Sequence, residues 1–268
     1  MEKGSTIKGL LAVQKQCRRE FDSKYAFVYD FIDRIWKFEG KVGLDREEME
    51  KLNKTYYNQV ITIILLATTA DTSLSSSLTL LRNGLGSDAF GILRIVSEII
   101  MLISFASSSS INADKVHLIF HEAERKRLSR ENLPFTQKQL SMEQPKLEYS
   151  ILQEAKKYFL EKHPDYKDVV NELNNYGAHI SQKKIALAGT TILGDEAVSR
   201  TLMPNISSRE FVKSIDIHVY MHLLLIRVMI DFFKRFTNVT GWENLFHSFF
   251  NEFNEKLHKR LLNIAEPE

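Results

Sequence analysis

The stretch Ser87-Asp-Ala-Phe-Gly-Ile-Leu-Arg-Ile-Val-Ser-Glu-Ile-Ile-Met-Leu-Ile-Ser-Phe105 constrains this chain more than any other. Wound as a helix it is apolar almost all round, which marks a helix enclosed by others rather than lying on a surface. A chain containing such a helix must supply several more to cover it. The rest of the sequence is written for that, with apolar residues recurring at helical spacing in nearly every segment. Five prolines and eleven glycines in 268 residues are few for a turn-rich β architecture. The expected fold is therefore all-α, a single domain over 1–268, with no strands beyond an incidental pair in an irregular excursion at about 183–205.

Helix punctuation divides the chain further. Short leading helices are expected at about 6–20 and 24–38, the second ended by Gly40 and Gly43. Asp45 and Glu48 suit a helix start, and that helix is expected to run to Leu81 as the longest, unless its Ser/Thr run breaks it. Asn83-Gly-Leu-Gly86 interrupts, with Ser87 as the next cap, and a further helix is expected at 113–130. Thr136 restarts helical sequence, Pro145 bends or divides it, and His163-Pro164 stops it. Ser207 and Glu210 have capping-box spacing and open a long helix to about Thr237. Beyond Gly241 comes a last helix carrying Trp242, Leu245, Phe246, Phe249, Phe250, Phe253 and Leu257, expected to complete the core or to form a dimer interface.

Composition excludes several classes. A formal charge of +2 gives no bulk electrostatic case for nucleic acid or an anionic membrane, so RNA is a possible partner that net charge does not indicate. Cys17 stands alone, which rules out an intramolecular disulfide and a thiolate zinc cage and fits a reducing compartment. The first ten residues lack the pattern of a signal peptide, so a cytoplasmic location is expected. The apolar segments 60–67, 89–105 and 217–233 are too short or carry charges, and are expected to be core helices rather than membrane spans.

Two constellations could carry chemistry. Arg94 and Glu98 fall at i and i+4 on the apolar helix, where lone charges are costly to bury, so they are expected to be buried and paired or to line a cavity. A structural ion pair and a polar pocket both satisfy that requirement. The segment Asn174-Asn-Tyr-Gly-Ala-His-Ile-Ser181 gathers Asn175, Tyr176 and His179 near a helix end, where the imidazole either caps free carbonyls or acts in a site.

The apolar helix with Arg94 and Glu98, followed some eighty residues later by the polar segment ending in His179, resembles an uncharacterised bacterial all-helical family. That family is compared with the HEPN-like superfamily, whose members include ribonucleases and many non-catalytic modules. The resemblance spans about residues 60–181 and implies a HEPN-like bundle with additional N- and C-terminal helices. The superfamily's ribonucleases use an arginine followed by four to six residues and then a histidine, and no arginine here has that spacing. The resemblance thus implies first a non-catalytic interaction or regulatory module, in bacterial stress response or phage defence. The alternative it implies is a phosphoester-acting ribonuclease, with Arg94 neutralising phosphate, His179 as acid or base, and Glu98 orienting one of them.

Other candidates read more plainly. Asp114, His117, His121 and Glu124 share one helix side, but that side points away from Val116, Ile119, Phe120 and Ala123, so a solvated face is expected rather than a metal site. His218 and His222 accompany Phe211, Ile215, Leu225 and Met229 and are expected in the core as hydrogen-bonded histidines. Arg125 and Arg127 belong to the densest basic patch; interleaved Glu122 and Glu124 dilute it. No Glu-x-x-His, His-Glu-x-x-His, Gly-x-x-x-x-Gly-Lys or Gly-x-Ser-x-Gly motif is present, so neither a metal nor a cofactor is assigned. The expected partner is a second copy or another protein.

Overall fold

The computed structural model describes residues 3–177, 191–194, 197–200 and 205–265. The fold is all-α. Thirteen helices are described: α1 (Lys3–Lys24), α2 (Ala26–Glu39), α3 (Arg46–Glu50), α4 (Lys54–Arg82), α5 (Gly86–Ser108), α6 (Ser110–Phe120), α7 (Glu122–Arg127), α8 (Gln137–Leu140), α9 (Gln144–Lys162), α10 (Lys167–Gly177), α11 (Arg209–Phe233), α12 (Thr240–Glu252) and α13 (His258–Ile264). Among the described residues the strands are one antiparallel pair, Thr191–Gly194 with Ala197–Arg200, inside the excursion where an incidental pair was expected.

The apolar helix is central, as its sequence demands. α5 packs against α4, α6, α9, α10 and α11, and Phe90, Leu93, Val96, Ile100 and Ile103 on it are fully buried. α11 is the second spine and contacts α2, α4, α5, α12 and α13. Phe211, Ile215, Val219, Ile226 and Phe233 bury along its length. Phe246, Phe249, Phe253, Leu257 and Leu261 of the C-terminal segment are buried within this one chain, where a short π-helical turn, Phe253–Leu257, joins α12 to α13. These aromatics complete the core, and of the stripe only Leu245 stands exposed. The buried part of the stripe is therefore not available to a dimer interface.

Local capping explains where several boundaries depart from the sequence expectation. The helix begun at Asp45 is only α3: Asp45 and Glu48 do form a capping box, but the chain breaks at 51–53 and Asn53 caps α4 by accepting from the Tyr56 amide at 3.1 Å. The Ser/Thr run does not break α4; Thr68, Thr69, Thr72, Ser73 and Ser76 satisfy their hydroxyls within the helix by donating to carbonyls one turn back. Gly84 turns the chain at φ 77°, and α5 then begins at Gly86, so Ser87 is not its cap. Pro145 lies in the first turn of α9 instead of dividing a helix. Ser208, one residue after the expected cap, accepts from the Phe211 amide at 3.2 Å to start α11.

The expected helix at 113–130 is two pieces, since His121 takes φ −118°, ψ 68° between α6 and α7. That break leaves Phe120 and Ala123 exposed rather than core-facing, while Leu118 is buried.

Candidate functional site

The Arg94–Glu98 pair forms but is not buried. Arg94 Nε donates to Glu98 Oε1 at 3.3 Å, and the two side chains keep 37% and 35% of their surface exposed. The physical reason is that α5 is not enclosed on every side. Ile95 and Glu98 line an opening between α4 and α9, and Arg94 keeps more than a third of its side chain exposed, so water reaches both charges. Asn175 and Tyr176 lie at the C-terminal end of α10, which packs on α5, but their side chains, like His179, fall outside the described residues. Arg125 and Arg127 sit on the short α7; Lys126 pairs with Glu122 at 2.7 Å, and Arg127 reaches Glu124 at 3.9 Å. Lys126 and Arg127 are thus paired with the interleaved acids, whereas Arg125 Nη1 is buried without a hydrogen-bond partner among the described residues.

Beside the pair opens an apolar groove of about 600 Å³ between α4, α5, α6 and α9. Its walls include Leu65, Leu66, Ile95, Ile99, Leu102, Phe120, Tyr149 and Leu152, with Glu98, Glu148, His117 and His121 among them. Four of the large side chains here stay open to solvent: Leu65 at 56%, Ile95 at 51%, Phe120 at 56% and Tyr149 at 64%. Soluble surfaces normally scatter such residues singly; a contiguous set with polar neighbours marks a place where something binds. The groove exists because the chain breaks at His121. From there α7 turns away, and Glu124 folds back to His117 with Oε2 3.1 Å from Nε2. The ring of His121 lies 4.3 Å from that of His117.

Both α4 and α5 are long and apolar enough to cross a membrane. For α5 the apolar surface is mostly enclosed by its five neighbours. For α4 much of it is open, which sequence reading of 60–67 in isolation overlooked.

A second cluster lies elsewhere in the bundle and is polar. Glu39 ends α2, Asp71 lies mid-way along α4, and His222 projects from α11 into the core. One ligand-type atom from each of the three falls within 4.8 Å of the other two. His222 is wholly buried, and its Nδ1 lies 3.2 Å from Glu39 Oε1. Next to it, His218 is also wholly buried and shares a 3.0 Å hydrogen bond between Nδ1 and Ser77 Oγ. Burial holds His218 well below the usual imidazole range, and the neighbouring His222 adds to that. Burial likewise raises the Asp71 carboxyl, helped by the charge of Glu39 and opposed by His222 and the Trp36 indole. The two core histidines are where the sequence placed them. Their carboxylate neighbours were missed, although Asp71 is the one acidic residue in the 29 of α4. A lone carboxylate on an apolar helix, opposite a helix with inward histidines, was the available signal.

No family profile, curated protein or solved structure matches this chain. The groove and the polar cluster therefore carry the functional argument.

Proposed function

We propose that this protein is a non-catalytic interaction module whose groove between α4, α5, α6 and α9 receives the apolar face of a helix from a protein partner. The observation that carries this reading is the set of open apolar side chains, Leu65, Ile95, Phe120 and Tyr149, lining one groove. Helix-in-groove recognition uses such a surface, with anchors at i, i+3, i+4 and i+7 entering an apolar channel. Charge selects the partner. Glu98 and Glu148 line the groove, which favours a helix with basic residues flanking its apolar face and disfavours lipid tails, against which carboxylates are costly. A HEPN-like resemblance agrees with this reading, since that superfamily contains many non-catalytic modules. The ribonuclease alternative stands second because no arginine in this sequence has the Arg–His spacing of that superfamily's nucleases.

A synthetic amphipathic helix with Leu and Phe on one face and lysines flanking it tests the proposal. Fluorescence anisotropy should show saturable binding that weakens at least tenfold in Ile95→Glu and Leu65→Glu. Both positions are more than half exposed, so these variants should fold. A glutamate-flanked version of the peptide should bind more weakly. Equal binding of the two peptides, or unchanged binding by the variants, refutes the reading. Binding of neutral phospholipid vesicles, lost in the same variants, would assign the groove to a membrane surface. A concentration-dependent dimer lost in them would assign it to a second copy.

A further inference from the structure

Glu39, Asp71 and His222 come from α2, α4 and α11, helices separated by long stretches of sequence, yet their oxygen and nitrogen donors converge. We propose that these three side chains bind one divalent transition-metal ion, of the class of Mn²⁺, Fe²⁺ or Zn²⁺. This proposal is independent of the groove.

Three features of the cluster argue for a cation. The first is donor chemistry. One imidazole with two carboxylates is a mixed set that suits Mn, Fe and Zn, while an imidazole is a poor choice for Ca²⁺ or Mg²⁺. The second is charge. Two carboxyl groups meet beside an imidazole in a half-buried place, an arrangement that a divalent ion would compensate. The third is unfinished hydrogen bonding. Asp71 Oδ1 is buried without a hydrogen-bond partner among the described residues. Buried polar atoms are normally satisfied, so this oxygen marks an unfilled position in the cluster. For Asp71 Oδ1 a metal bond would supply what is missing.

The geometry is close to that required. Tetrahedral coordination with bonds of about 2.0–2.1 Å places donors roughly 3.3–3.4 Å apart. Glu39 Oε1 and His222 Nδ1 already stand at 3.2 Å. One donor atom of Asp71 lies within 4.8 Å of the donor atoms of both other side chains. Support comes from behind the ligands. The His222 ring meets His218 edge to face at 5.1 Å and Trp36 at 5.9 Å, and His218 is fixed in turn by Ser77. These ring contacts hold the His222 imidazole in orientation by packing alone. On the open side, Glu39, Asp71 and Trp36 line a cavity of about 390 Å³ shared with Leu225 and Met229. Two of the three proposed ligands, Glu39 and Asp71, face this cavity, which leaves room for water or a small exogenous ligand beside the ion.

The full chain, stripped with chelator and dialysed, should bind one equivalent of Zn²⁺ or Mn²⁺ by calorimetry. Free metal a hundredfold above Kd should raise Tm by about 5–10 °C. Mg²⁺ and Ca²⁺ at the same concentration should leave Tm unchanged. Co²⁺ should give visible absorption bands of a site with a nitrogen ligand. Asp71→Asn and Glu39→Gln keep side-chain shape and should each weaken Zn²⁺ binding by about 100-fold or more. Circular dichroism checks that they fold, and Glu39, at a helix end, offers the milder perturbation. The absence of stoichiometric binding overturns the proposal. So does binding that survives both variants but disappears in His117→Ala, which would place the ion on the His117–His121 surface pair.

Discussion

Alanine at Arg94 and alanine at Leu93, adjacent on α5, should differ sharply in their cost to stability. Leu93 is fully buried among the helices that enclose α5. Removing a side chain from such a site costs its transfer free energy plus the cavity left behind, about 2–5 kcal/mol. For a chain of this size roughly 2–4 °C of Tm accompanies each kcal/mol, so Leu93→Ala should lower Tm by about 5–15 °C. Arg94 holds Glu98 at 3.3 Å, but both side chains are more than one-third exposed. A solvated i,i+4 pair contributes only about 0.3–0.5 kcal/mol, and arginine preceding glutamate is the weaker order. Arg94→Ala should therefore shift Tm by no more than about 2 °C, and 1 M NaCl should remove most of that shift. Differential scanning calorimetry at low and high salt reads both. A loss above about 2 kcal/mol for Arg94→Ala would refute the reasoning, because only a carboxylate stranded away from water costs that much.

Three further outcomes follow from local geometry. Asp231 is only 7% exposed, and although burial opposes its ionisation, Arg227, Lys162 and Lys234 prevail and hold its carboxyl below the usual range. Its stabilising contribution is complete above the unfolded value of about 3.9 and is lost as pH falls through the lower folded value. Asp231→Asn should cost about 1–2 kcal/mol at pH 7 and flatten the acid limb of a stability–pH curve from urea denaturation. Gly91→Ala should stabilise by about 0.5–1 kcal/mol, since a Cβ there meets nothing within 4 Å on a helix, whereas Gly84→Ala at φ 77° should destabilise by about 1–2 kcal/mol; chemical denaturation midpoints should move in opposite directions. Tyr25 Oη donates to the buried Ile206 carbonyl at 2.5 Å, so Tyr25→Phe should cost about 1–3 kcal/mol in the same assay by leaving that carbonyl unpaired.

The sequence alone determined the helical class, the central place of 87–105 and the inward direction of His218 and His222. All three rest on periodicity within one segment, and a periodic apolar face has few ways to be buried. Capping chemistry was equally local, so Asp45, Thr136 and the 83–86 interruption were legible to within a residue or two. What only the tertiary structure decided is which flank of a nearly all-apolar helix stays wet. Apolarity all round α5 implied burial of Arg94 and Glu98, yet how far α4 and α9 diverge is set by packing among several helices. The break at His121 likewise turned an expected core stripe into the rim of a groove. Glu39, Asp71 and His222 lie on three helices with no shared spacing, so no pattern in the chain could announce them. Their convergence follows from α2 and α4 both packing on α11, a relation that exists only once the bundle has closed.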